Sequence, residues 1–133
     1  MSARFDLLFV YGSLMRGQSA DGYLAHLPSS EATCRGQLYR APAGYPALIL
    51  DPDGPLITGQ VVRFSEPSLL MVLDLYENTS MGIYKRVRTP ITVRGRVLDA
   101  WIYVTTAQQA RRHRFHKMAA TDWRTVAPPP KPD

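Results

Sequence analysis

The chain has 133 residues, 45% hydrophobic and 20% charged. That length and balance suit one globular domain able to fold without disulfides. Its single cysteine, Cys34, excludes an intrachain disulfide and points to a cytoplasmic setting, while no apolar run nears the ~20 residues of a membrane span.

The formal charge of +5 is unevenly placed. Ala110 to Asp133 carries six Lys and Arg against two Asp, and the rest of the chain carries ten basic against nine acidic residues. The body is nearly neutral, so overall charge does not mark a nucleic-acid protein. Met1 to Asp6 lacks the basic and apolar regions of a signal peptide.

In chain order, Phe5 to Val10 reads as a buried strand that breaks at Tyr11-Gly12-Ser13-Leu14, where glycine permits a tight turn. Ser19 to Leu27 suggests a short helix capped by Ser19. Cys34 to Arg40 is a second strand, and Pro42, Gly44 and Pro46 impose irregular backbone before Ala47 to Leu50. Asp51 to Pro55 is a turn, and Ile57 to Phe64 another strand. Ser65-Glu66-Pro67 reads as a helix start, with Ser65 as cap and the proline in the first turn. Leu69, Leu70, Val72, Leu73 and Tyr76 then recur at helical spacing and predict one buried face, with Glu77 at the helix end. After a loop over Asn78 to Gly82, Ile83 to Val93 and Val97 to Val104 are β-rich runs joined by a hairpin signal at Arg94-Gly95-Arg96. Thr106 to Ala120 reads as a last helix, and Pro128 to Pro132 as a loose tail. These elements predict an α+β domain over 1–124, built on a small mixed β-barrel or strongly curved sheet with two or three short helices, followed by a Pro-rich flexible tail over 125–133.

Three segments carry candidate chemistry. A strand breaking into Tyr11-Gly12-Ser13-Leu14 exposes consecutive backbone N–H groups, a concavity suited to anions such as carboxylates; a tight turn without ligand is the plain alternative. Glu31, Glu66 and Glu77 are the only glutamates. Glu77 alone follows an apolar helical face, where lost solvation raises a carboxyl pKa toward that of a proton shuttle; the commoner case is a solvated helix end. In Tyr84-Lys85-Arg86, alternation puts Tyr84 and Arg86 on one face. An arginine there can hold a carboxylate or a loop, or remain a surface charge.

Together with Gly44-Tyr45-Pro46-Ala47-Leu48, Leu73-Asp74-Leu75-Tyr76-Glu77, Tyr84-x-Arg86 and Ala100-Trp101-Ile102-Tyr103-Val104, the Val-Tyr-Gly-Ser-Leu strand end resembles the gamma-glutamylcyclotransferase-like family, which includes gamma-glutamylamine cyclotransferases. The resemblance runs from about Phe9 to Val104, and Asp122-Trp123-Arg124 resembles the closing segment of bacterial members. Asn78 stands where the family usually has glycine; asparagine tolerates left-handed backbone better than most residues.

The resemblance implies an intramolecular reaction without cofactor or metal. The α-amine of a small-molecule γ-glutamyl substrate attacks its own side-chain amide, 5-oxoproline forms, and an amine or amino acid leaves. It assigns Glu77 as general acid/base and the Tyr11-Gly12-Ser13-Leu14 N–H groups as the grip on the glutamyl moiety. Tyr84, Tyr45 and Tyr103 become substrate-pocket hydroxyls beside Tyr11, and Arg86 structural support. The expected state is monomer or homodimer, without a membrane partner.

Other readings are poorer. Ser13 lacks a nucleophile elbow, Cys34 suits a core, and His113 with His116 makes too small a metal site. Arg111-Arg112-His113-Arg114 reads as a solvated helix face rather than a nucleic-acid surface. A non-catalytic ligand-binding or interaction module on the same fold is the alternative from another class.

Overall fold

The computed structural model describes residues 5–18, 20–77 and 82–126. Ser19, Asn78 and most of the expected 78–82 loop and Pro-rich tail lie outside them.

Seven strands form the sheet: β1 (Asp6–Val10), β2 (Ser29–Arg40), β3 (Pro46–Leu50), β4 (Leu56–Phe64), β5 (Lys85–Val93), β6 (Arg96–Val104) and β7 (His116–Lys117). β1 lies between β4, antiparallel, and β6, parallel. β6 pairs antiparallel with β5. β2 pairs antiparallel with β4 and returns to β5 through a Thr33–Thr92 bridge. The circuit β2–β4–β1–β6–β5 closes a small mixed five-stranded barrel. β2 outlasts it, and its second half carries β3 and β7.

The barrel closes around an apolar cluster drawn from every one of its strands, including Phe9, Ala32, Ile57, Ile91 and Ile102. Side chains of alternate parity, Leu8 and Val10 among them, join a second cluster outside the barrel, beneath the segment after β1 and the helix α1 (Ser68–Tyr76). The β5–β6 hairpin turns through Arg94 and Gly95, both at positive φ (51° and 78°), the backbone of a tight type I′ connection whose twist matches the strands.

Four local expectations need correction. Among the described residues between β1 and β2 there is no α-helix over 20–27, only a 3-10 turn at Asp21–Tyr23 with no buried side chain to hold a longer helix. Pro67, not Ser65, occupies the cap position of α1, and no side chain caps that helix. Its expected buried face is narrower than the spacing implied. Leu73 is buried and Leu69 and Leu70 pack partly buried against the outer cluster, whereas Val72 and Tyr76 lie open.

The last helix, α2 (Ala107–Arg112), stops well short of Ala120. Thr106 caps its start, its hydroxyl accepting from Gln109 N–H at 3.2 Å. At its end Arg114 takes left-handed backbone, φ 59°. Phe115 N–H then reaches Ala110 O at 2.8 Å and Arg114 N–H reaches Arg111 O at 3.2 Å, the pair of bonds that closes a helix around a left-handed residue. This turns Phe115 inward against Tyr45 and frees 116–117 to pair with β2. Trp123–Thr125 is a 3-10 turn capped by Asp122, and Arg124 pairs with Asp122 and Glu31.

Among the described residues, no helix is long and apolar enough to cross a membrane.

Candidate active site

The end of β1, the 12–14 turn, the approach to β3, the last turn of α1 and the approach to β5 converge on a cavity of about 370 Å³, within the range of small-molecule sites. Tyr11, Gly12, Ser13, Leu14, Tyr45, Tyr84, Tyr103 and Glu77 all line it. Residues separated by more than 90 positions in the chain thus share one space because β1 and β6 are parallel neighbours.

Gly12 lets the turn close against the wall opposite: a Cβ there would come within 2.5 Å of Pro46 Cγ. Met15 N–H bonds Gly12 O at 3.0 Å to complete the turn. The N–H groups of Gly12, Ser13 and Leu14 meet no protein acceptor among the described residues.

Glu77 occupies the position just after α1, its own N–H bonded to Leu73 O at 2.8 Å. Burial pushes its carboxyl up to about 7, because an ionised carboxylate held among Tyr76, Tyr84, Ile83 and Tyr103 is poorly hydrated. Of the other two glutamates, Glu31 pairs with Arg124 and Glu66 is exposed; neither borders the cavity.

The tyrosine hydroxyls are tied down. Tyr11 donates to Tyr103 O at 2.6 Å and Tyr103 to Asp74 Oδ1 at 2.6 Å; Tyr84 donates to Pro46 O. Burial raises the proton affinity of all three, and the nearby Glu77 charge raises it further. Tyr45 is more open, on the rim, edge-on to Phe115 with ring centroids 6.1 Å apart.

Arg86 does not border the cavity. Its guanidinium grips Asp74 through Nε at 2.9 Å and Nη2 at 3.1 Å and lies over the Trp101 ring, 4.5 Å from its centroid. That fork joins β5 to the last turn of α1 and holds the Asp74 carboxyl below the usual carboxylate range.

Two participants escaped the sequence reading. Tyr76 was assigned to the buried helical face, yet it lines the cavity and its hydroxyl meets Ser13 Oγ at 2.6 Å. Asp74 appeared only as part of a motif; its position three before Glu77, one helical turn away, was the available signal.

Cys34 is buried in the barrel cluster and its thiol is pushed up to about 11, unsuited to thiolate chemistry at neutral pH. Among the described residues, no group of three or more His, Cys, Asp or Glu side chains is placed to hold a metal ion.

Residues 8–125 match the family model described as Gamma-glutamyl cyclotransferase, AIG2-like. The chain belongs to that family, which includes gamma-glutamyl cyclotransferases. No curated protein sequence gives a significant match. Among solved structures, an aig2-like protein of Mus musculus superposes with a TM-score of 0.66 at 21% identity, covering 98% of this chain and 99% of that one. YkqA from Bacillus subtilis gives a TM-score of 0.69 at 22% identity over 90% of this chain. This chain spans only 40% of the length of YkqA. A structure described as gamma-glutamyl cyclotransferase gives 0.58 at 16% identity, covering 83% of this chain and 80% of that one. At these identities the likeness is one of fold.

Proposed function

We propose that the chain is a gamma-glutamyl cyclotransferase that releases 5-oxoproline from a small-molecule γ-glutamyl amine or amino acid, with Glu77 as general acid/base and no cofactor. One observation carries this reading: a carboxyl with pKa pushed up to about 7 borders the same cavity as a turn of main-chain N–H donors.

The glutamyl carboxylate is held by the N–H groups of the 12–14 turn. Glu77 takes a proton from the substrate ammonium. The freed amine nitrogen attacks the γ-amide carbon, forming the ring C–N bond. Glu77 then returns that proton to the departing nitrogen as the original amide C–N bond breaks, and the surplus proton of the ring nitrogen passes to the same amine, so that a neutral lactam and a protonated amine leave. Every atom of the product comes from the substrate, so the protein supplies position and proton transfer. Positioning can supply several kcal/mol of barrier reduction, and a matched acid/base roughly 10²–10⁴-fold in rate. Arg86 supports the site by fixing Asp74 and the end of α1.

The test is 5-oxoproline release from a panel of γ-glutamyl amines, γ-glutamyl amino acids and glutathione. Turnover of at least one substrate is expected, with a loss of about 10³-fold or more in a folded Glu77→Gln variant. Full activity in that variant would remove Glu77 from the mechanism. Silence across the panel, with tight binding of a γ-glutamyl compound, would make the chain a binding module.

A further inference from the structure

Three arginines, Arg86, Arg88 and Arg124, each hold a carboxylate. Of the basic side chains that hold none among the described residues, five come together: Arg40, Arg111, Arg112, Arg114 and Lys117. No Asp or Glu stands between Asp99 and Asp122, so the surrounding segment offers them no local partner. What the sequence reads as one solvated helix face is assembled from three elements. α2 ends at Arg112, Arg114 makes the left-handed turn, and β7 lays His116 opposite Arg40 and Lys117 opposite Tyr39 on β2. Arg111, Arg112, Arg114, His116 and Lys117 are all exposed. A left-handed helix end suits glycine better, so backbone geometry does not account for an arginine at 114.

This basic strip borders the mouth of the cavity. Phe115, within it, stands edge-on to Tyr45, a cavity-lining residue that is 39% exposed. Ring centroids step 6.1 Å from Tyr45 to Phe115 and 6.3 Å from Phe115 to His113, within reach of about four extended residues. α2 also abuts the approach to β5: a Cβ on Gly82 would stand 4.0 Å from Gln109 Nε2, one residue before the cavity-lining Ile83. Among the described residues, no Lys, Arg or His lines the cavity itself. The cations lie outside it, where only an extension of the ligand meets them.

We propose that the strip docks an acidic peptide segment, and that the cavity accepts a γ-glutamyl group borne on the N-terminal nitrogen of that peptide. What enters the cavity rests on the γ-glutamyl reading and extends it from small molecules to peptides; the docking itself does not depend on it. The ring C–N bond forms, the amide bond to the peptide nitrogen breaks, and the peptide leaves as its protonated amine. Guanidinium forks bind carboxylates at two points. Each exposed pair is weak alone, so the strip selects a run of carboxylates. Nucleic acid fits less well. α2 is too short to read a groove, and the strip presents no open ring for base stacking, since Phe115 meets Tyr45 and Trp123 lies under the Arg40 guanidinium. Among the described residues, no large exposed apolar side chain falls within 107–118 to anchor the strip in a lipid surface.

The experiment uses the whole chain. Fluorescence anisotropy follows a labelled hexapeptide of Glu and Gly and its counterpart with Gln in place of Glu. At low salt the acidic peptide is expected to bind about tenfold or more tightly, and the difference should fade as salt rises. The same peptides carrying a γ-glutamyl group on the N-terminal nitrogen are assayed for 5-oxoproline release beside γ-glutamyl methylamide. kcat/KM should favour the acidic peptide by about tenfold. Arg112→Gln with Arg114→Gly should cut that preference about threefold or more, while the methylamide rate holds. Glycine suits the backbone at 114, circular dichroism checks folding, and Arg111→Gln with Lys117→Gln is the second pair. Equal affinity of the unsubstituted chain for the two peptides overturns the proposal, as does a preference that survives in a folded pair. Tighter binding of a single-stranded RNA of equal charge, or of phosphatidylserine vesicles, also overturns it. Turnover of γ-glutamyl methylamide without an acidic preference defeats the docking alone. Acidic-peptide binding with no 5-oxoproline from any substrate defeats the γ-glutamyl reading and leaves the docking in place.

Discussion

Glu77 holds its proton unusually tightly because its surroundings hydrate the charged form poorly. Its folded value of about 7 lies above the ordinary glutamate value of 4.5, so between those pH values the folded chain keeps a proton that the unfolded chain has released. The resulting stabilisation is complete below about 4.5 and is lost as pH rises to about 7. The part lost is on the order of 3 kcal/mol. Urea titrations at pH 5 and pH 8 should therefore show a smaller stability drop in Glu77→Gln than in the unsubstituted chain; equal drops would mean an ordinary, hydrated carboxyl. The same group gives kcat/KM a rising limb centred near pH 7, since proton abstraction needs the carboxylate. A pH–rate profile of 5-oxoproline release measures it.

At the scale of elements, α1 is a short, uncapped helix with much of its apolar surface open: Leu75 is 81% exposed and Met71 70% exposed. Propensity contributes little to so short a helix. What fixes its last turn is Leu73 beneath it and the Arg86 fork on Asp74. Arg86→Met should destabilise the fold by about 1–2 kcal/mol in urea unfolding, and Arg86→Lys should recover only part of that, because an ammonium keeps the charge without the two-point geometry. The contact between β4 and β1 is tighter still. A Cβ on Gly59 would overlap Val10 O and come 2.8 Å from Phe9 Cζ. Gly59→Ala should cost about 1–3 kcal/mol, with Val10 displaced at the cavity; an unchanged melting temperature would show that the strands can move apart. Some of this level was legible beforehand. The Arg94-Gly95 hairpin was, because a two-residue turn is encoded in its own residues. The fate of 106–120 was not, because the left-handed Arg114 is held by Phe115 packing on Tyr45, a partner 70 positions away.

Across the whole molecule, the barrel and the cavity depend on each other. The cluster that includes Phe9, Ile57, Ile91 and Ile102 links all five barrel strands, so β1 and β6, which deliver Tyr11 and Tyr103 to the cavity, are held from within. Ile102 is fully buried. Ile102→Ala should cost about 2–5 kcal/mol and leave a single unfolding transition, followed by near- and far-UV dichroism. Separate transitions would mean the barrel and its outer cluster fold independently. By itself the sequence determined the main strands, the chain break at Tyr11-Gly12-Ser13-Leu14, the helix running up to Glu77 and the family, because turn chemistry, local periodicity and motif order all lie within short stretches of chain. Only the tertiary structure decided how far the last helix runs, that Tyr76 faces the cavity, that Asp74 stands between Arg86 and Tyr103, and which way the phenol protons point. Those outcomes depend on partners brought together by barrel closure, and a side chain's neighbours across a sheet leave no periodic trace in its own segment.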